Sequence, residues 1–130
     1  MELEDAIVYI LDDDPSVRRS LERLARSAGF EARGFATAAE FLAAQRERRP
    51  ACLILDLLLP DMRGLDVQRQ LTLIDPGLHV VVLTGYGDDR ARREALAGGA
   101  VAFLSKPCDD EELLDAIRRA LSGSPAGAGR

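Results

Sequence analysis

Three short stretches of this chain are apolar at every position: Ile7-Val8-Tyr9-Ile10-Leu11, Cys52-Leu53-Ile54-Leu55 and Val80-Val81-Val82-Leu83. Successive side chains of a β-strand point to opposite faces. A strand that is apolar at both parities must therefore be covered on both sides, which is the pattern of a parallel sheet held between two layers of helices. Each stretch sits in a slightly longer run, and five such runs occur in all: Ala6 to Leu11, Phe30 to Phe35, Ala51 to Leu55, Leu78 to Leu83 and Ala100 to Leu104. The second, Phe30-Glu31-Ala32-Arg33-Gly34-Phe35, mixes polar with apolar residues and suits an edge.

Helical patterns separate these runs. Asp14 before Pro15 reads as a cap followed by proline at the first helical position, with Val17, Leu21, Leu24, Ala25 and Ala28 on one face and Gly29 as the stop. Thr37 and Glu40 have the spacing of a capping box. Gly64 opens a helix predicted to turn Val67, Leu71 and Ile74 inward, while Asp61 and Asp66 read as solvated acids. A fourth helix over about Asp88 to Ala97 offers mostly alanines and Leu96, so it is expected to be the least firmly anchored. The last starts at Asp109, carries acids in its first turn and ends at Arg118 and Arg119, complementing the helix dipole. Its core face is Leu113, Ile117, Ala120 and Leu121. The result is a (βα)5 α/β chain whose short connections allow only right-handed crossovers. Its natural architecture is a doubly wound, five-stranded parallel sheet of order 2-1-3-4-5, with its site at the carboxyl ends of the strands. Residues 5–121 form one domain in this reading, and 122–130, small residues with Gly and Pro, a flexible tail or truncated linker.

Composition narrows the function. Hydrophobic residues are 47% of the 130, enough for a core, and the net charge of −5 disfavours a grip on nucleic acid through phosphates. No apolar run approaches the roughly 18 residues of a membrane span, and the acidic start does not resemble a signal peptide. Cys52 and Cys108 read as reduced thiols in a cytoplasmic protein. His79, the single histidine, has no partners at metal-ligand spacing.

The strand ends carry the chemistry. Strand 1 ends in Asp12-Asp13-Asp14, strand 3 in Asp56, strand 4 in Thr84-Gly85 and strand 5 in Ser105-Lys106-Pro107. The fold would gather Asp12, Asp13 and Asp56 in one pocket, where two like charges about 4 Å apart repel by roughly 4 kcal/mol. A divalent cation relieves that, and an all-oxygen donor set favours a hard ion such as Mg2+. Carboxylates, Mg2+, a lysine and a hydroxyl make a phosphoryl-transfer site. Asp56, alone at the end of the central strand, is the best candidate nucleophile, and the strand 1 pair is better placed to hold metal.

These residues resemble the response-regulator receiver domains of the CheY-like superfamily. The resemblance spans about residues 5 to 121. It rests on Asp12-Asp13, on Asp56 with Pro60 and Gly64 beyond it, on Thr84-Gly85 and on Lys106-Pro107. Asp12-Asp13-Asp14-Pro15-Ser16-Val17-Arg18 and Thr84-Gly85-Tyr86-Gly87-Asp88 further resemble the FixJ-like subgroup of transcriptional regulators. The resemblance implies that Asp56 is the phosphoacceptor and that Asp12, Asp13, Asp56 and the Leu58 backbone carbonyl bind Mg2+. It implies that Lys106 pairs with the acyl-phosphate, Thr84 bonds a phosphoryl oxygen and Phe103 is the aromatic switch. Leu58 and Tyr86 would limit water access. It also implies a sensor histidine kinase as donor, phosphorylation-dependent homodimerisation through helix 4 and strand 5, and an output in transcription through a DNA-binding domain outside these residues. A stand-alone receiver working by protein contact or phosphorelay is the alternative. In either case the domain is not an enzyme in the ordinary sense, since it acts on itself. A haloacid-dehalogenase-type phosphatase would need a second Asp where Leu58 stands, and a flavodoxin-like cofactor binder a phosphate-cradling loop where the acids stand. A binding-only pseudo-receiver would not need Thr84 and Lys106 beside the full acidic set.

Overall fold

The computed structural model describes residues 5–85 and 87–122. Their order is β1 (Ile7–Leu11), α1 (Pro15–Ser27), β2 (Glu31–Phe35), α2 (Ala38–Ala43), β3 (Ala51–Leu55), α3 (Gly64–Ile74), β4 (His79–Thr84), α4 (Asp89–Ala97), β5 (Ala102–Ser105) and α5 (Asp110–Leu121). The strands form one parallel sheet in the order β2-β1-β3-β4-β5, as expected from the sequence. Strand limits move by up to two residues from the apolar runs, because hydrogen bonding and not hydrophobicity decides where a strand stops.

Alternation along the central strands builds two cores. Val8, Ile10, Cys52, Ile54, Val81 and Leu83 pack against α1 and α5, where they meet Leu21, Ala25, Leu113 and Ile117. Ile7, Tyr9, Leu11, Leu53, Leu55, Val80 and Val82 pack on the other face against Phe41, Val67, Leu71 and Ala95. β2 lies at the edge with its ends exposed or half-buried, which explains its mixed composition.

The caps follow the sequence closely. Asp14 accepts from the N–H groups of Ser16 and Val17, Asp88 from Ala91, and Asp109 from Glu111 and Glu112. Thr37 accepts from the Glu40 N–H, but the Glu40 carboxylate reaches the N–H of Ala36 and not of Thr37, so the capping box is stretched by one residue. Gly29 adopts φ 95, the left-handed geometry that ends α1. α4 buries only Ala95, in keeping with weak anchorage.

One expectation fails. Ile74 does not turn inward and is 62% exposed. It is the last residue of α3, one turn past Leu71, and it faces Leu42, Ala44 and Arg46 across an open cleft while Leu78 fills the end of the core. Asp61 is exposed, as expected, and also has a structural part: its two carboxylate oxygens accept from the N–H groups of Ala38 and Ala39 at 3.0 and 2.9 Å. These bonds, with Ala39 foremost, hold its carboxyl below the usual range and tie the β3–α3 loop to the start of α2. Asp66 pairs with Arg63 and Arg69 on the surface.

Cys52 is buried and unpaired, and burial pushes its thiol up to about 12; Cys108 is also a free thiol. Among the described residues no helix is long and apolar enough to cross a membrane.

Candidate functional site

Register puts the acids together. Leu11 of β1 pairs with Leu55 of β3, so the next residues, Asp12 and Asp56, leave neighbouring strands side by side. The Asp56 N–H donates to the Leu11 carbonyl at 3.1 Å and fixes that alignment. Thr84 ends β4, and Lys106 follows β5 with its N–H on the Thr84 carbonyl at 3.0 Å. Asp12, Asp56 and Thr84 are buried, whereas Asp13 is exposed and stands at the mouth.

Lys106 bridges the two buried acids. Its Nζ donates to Asp12 Oδ2 at 2.7 Å and to Asp56 Oδ2 at 2.8 Å. Thr84 Oγ1 donates to Asp56 Oδ1 at 2.8 Å, and the Leu58 N–H donates to the same oxygen at 3.2 Å. Asp12 Oδ1 accepts from the Asp14 N–H at 3.0 Å, and the Arg18 guanidinium donates to the Asp12 carbonyl at 2.8 Å. Both carboxylates are desolvated, yet their environments split them. Burial outweighs the Lys106 and Asp14 bonds on Asp12 and raises its pKa. At Asp56 burial acts in the same direction, but donation from Lys106, Thr84 and the Leu58 N–H overcomes it and lowers the pKa. Asp56 is thus held as an anion, which is the form a nucleophile needs. Burial opposes the charge on Lys106, and its bonds to the two acids outweigh that and raise its pKa.

Asp12, Asp13 and Asp56 each present an oxygen within 4.8 Å of the others. Three carboxylates against one ammonium leave two negative charges in excess, the deficit one divalent ion would cancel. The donors are all oxygens and one side of the cluster is open at Asp13, a combination suited to Mg2+, which binds through few carboxylates and keeps waters. The donor set therefore fits the ion expected from the sequence.

The remaining candidates surround this cluster. Leu58 is 55% exposed, with its backbone N–H on Asp56. Phe103 is half-buried on β5. A Cβ on Gly87 would stand 2.6 Å from Phe103 Cζ and 3.3 Å from Thr84 Cγ2, so the missing side chain at 87 leaves room for the ring beside Thr84. Tyr86 lies outside the described residues. His79 begins β4, at the end of the sheet away from the acids.

Two contributors are not obvious from residue type. Arg18 closes the stretch from Asp12 that resembles the FixJ-like subgroup, but that stretch gives it no role; its bond to the Asp12 carbonyl supplies one. Gly64 is closer to the chemistry than a helix start suggests: a Cβ there would lie 2.6 Å from the carbonyl oxygen of Asp56 and 2.6 Å from Leu57 Cα. Those neighbours are backbone and cannot turn away. Gly64→Ala is expected to push the β3–α3 connection outward and destabilise the fold by about 1–3 kcal/mol. Urea unfolding would detect this, and an unchanged midpoint would contradict it.

Comparison with known proteins gives a consistent result. The model of the response regulator receiver domain family matches residues 8–118. Nodulation protein W of Bradyrhizobium diazoefficiens is 45% identical over 112 residues, covering 86% of this chain and 49% of that protein. Response regulator protein TodT of Pseudomonas putida is 42% identical over 120 residues, covering 92% of this chain and 53% of that one. The chain thus spans about half the length of these relatives. The crystal structure of FixJ-N superposes with a TM-score of 0.83 at 36% identity, covering 94% of this chain and 96% of that one.

Proposed function

The chain belongs to the response-regulator receiver domain family of two-component systems, and from that premise we propose that Asp56 accepts a phosphoryl group from a phosphohistidine on a partner histidine kinase. The observation that carries this reading is the Asp56 carboxylate itself: buried, held ionised by Lys106 and Thr84, and within metal-sharing reach of Asp12 and Asp13. In the transfer an Asp56 oxygen forms a bond to phosphorus as the bond from phosphorus to the histidine nitrogen breaks, its electron pair staying on the imidazole. Asp12, Asp13, Asp56 and the Leu58 carbonyl would hold Mg2+, which when bound neutralises charge on the phosphoryl oxygens. Lys106 already bridges the pocket and would follow the new charge.

Phosphorylation adds acceptor oxygens and negative charge at Asp56. The Thr84 hydroxyl would leave the carboxylate for a phosphoryl oxygen, and Phe103, packed beside it, would turn into the space released. Because Phe103 has no hydroxyl, this switching works by packing alone. α4, with one buried residue, would then reposition with β5 and present a surface that pairs two receivers. Tyr86 and Leu58 would screen the acyl-phosphate from water; the proposed role of Tyr86 falls outside the described residues, as does the proposed tail 122–130 apart from Ser122, which caps α5. Residues 5–121 would be the receiver proper, acting in the cytoplasm without touching nucleic acid. Output would run through a DNA-binding domain as in a FixJ-like regulator, or through protein contact if the receiver stands alone.

Incubation with acetyl phosphate and Mg2+ is expected to add one phosphoryl group to the intact mass, and chelation of the metal to prevent it. Sedimentation with beryllofluoride and Mg2+ is expected to show a dimer. A persistent monomer would remove the pairing step while leaving the transfer chemistry in place.

A further inference from the structure

Among the described residues, α4 is tied to α3 by one buried side-chain hydrogen bond. Its ion pairs, Arg69 to Glu94 at 3.5 Å and Arg90 to Glu94 at 3.7 Å, are exposed and of the screened kind that contribute little. Gln68 on α3 is different. It is 5% exposed, on the face that otherwise buries Gly64, Val67 and Leu71, and its Nε2 donates to the Ala95 carbonyl at 2.8 Å. Ala95 is the residue α4 buries. A glutamine taken this far from water loses hydration that the hydrogen bond must recover.

The local structure makes room for this bond. A Cβ on Gly98, just past α4, would lie 3.1 Å from Gln68 Nε2 and 3.2 Å from its Cδ. Gly98 has φ −80, which any residue can adopt, so space and not backbone conformation is what glycine supplies there. Cavities of about 280 Å³ and 60 Å³ flank the amide along the α3–α4 seam. Side-chain packing leaves this seam partly open, and the hydrogen bond spans it. The Ala95 carbonyl also accepts from the Ala100 N–H at 3.0 Å, so it keeps a partner if Gln68 lets go. The bond can therefore break without orphaning the acceptor.

We propose that Gln68 is a positioning residue for the switch: its bond to Ala95 latches α4 to α3 and adds to the cost of moving α4. This rests on the reading that α4 repositions when Asp56 is occupied. Coupling between two sites is reciprocal, so a latch that resists movement of α4 also weakens the binding of a phosphoryl mimic at Asp56. A single net hydrogen bond corresponds to a factor of about three to ten in an equilibrium constant.

Two variants test this without a large change of volume. Gln68→Met keeps the length of the side chain and removes the donor, and Gln68→Leu replaces the amide with a branched apolar group. Backbone amide exchange and the beryllofluoride Kd in the presence of Mg2+ would be measured on each. In both variants α4 amides are expected to exchange about three- to tenfold faster with β1 and β3 unchanged, and beryllofluoride to bind about three- to tenfold more tightly. Gly98→Ala, which crowds the amide, is expected to shift both readouts the same way. A merely structural role would loosen α4 without tightening the mimic, so faster exchange with an unchanged or weaker Kd overturns the latch, as does unchanged exchange in both variants. If the parent chain itself fails to bind beryllofluoride, the phosphoacceptor reading falls and the latch with it.

Discussion

Asp56→Asn is expected to abolish phosphoryl uptake from acetyl phosphate and Mg2+ while leaving the fold intact. Asparagine has nearly the same volume and keeps a carbonyl oxygen to accept from Thr84 Oγ1 and the Leu58 N–H, the two donors now on Oδ1. What it loses is the second anionic oxygen, which Lys106 contacts at 2.8 Å. The ammonium retains Asp12 at 2.7 Å, so no buried charge is left without a partner. An amide oxygen is a far weaker nucleophile than a carboxylate, and the variant offers the phosphorus nothing to replace it. Intact-mass measurement should show one added phosphoryl group on the parent and none on the variant, with superimposable circular dichroism. Equal uptake by the variant would move the acceptor elsewhere and sink the assignment.

The largest stability loss is expected away from this site, at Phe41. α2 spans only Ala38–Ala43, too short to be helical in isolation, so it depends on what it buries. Phe41 is fully buried and meets Tyr9 and Phe35 edge-on, with ring centroids 5.8 and 5.4 Å apart. The Arg46 guanidinium carbon lies 3.9 Å from its ring centre. Phe41→Ala removes these contacts and leaves a cavity beneath β1, at a cost of about 3–5 kcal/mol. That is a large share of the roughly 5–15 kcal/mol that keeps a domain folded. Leu73→Ala is the matched control: Leu73 is 83% exposed, and its loss should stay within about 0.5 kcal/mol. Urea midpoints for the pair test this directly, and comparable shifts for both would refute the packing argument.

The contrast between these two residues shows how far patterning reaches. Leu73 and Ile74 look as apolar as Phe41 in the sequence, and Ile74 even has helical spacing from Leu71. Periodicity reports which way a side chain faces around the helix axis. It does not report whether a neighbouring element extends far enough to cover it, and at the end of α3 none does. Asp61 was opaque for a related reason. Its partners, the N–H groups of Ala38 and Ala39, are more than twenty residues earlier, and no local signal joins a loop acid to a distant helix start. Gln68 sits among core positions with nothing in its own neighbourhood to mark Ala95 as its partner.

The layers are legible from the pattern along the chain, since strands apolar at both parities can only be buried between helices; the strand order is not in that pattern and comes with the doubly wound architecture, which the folded sheet bears out. The gathering of Asp12, Asp56, Thr84 and Lys106 follows with little more, because each ends a parallel strand and parallel strands end at one edge. Side-chain pairing within that edge is a matter of ångströms. Only the folded arrangement decides that Lys106 spans two acids, that Asp56 is held ionised while Asp12 is pushed toward its neutral form, and that a buried amide joins α3 to α4. Those properties depend on desolvation and on distances between residues remote in the chain, and neither quantity exists until the chain has folded.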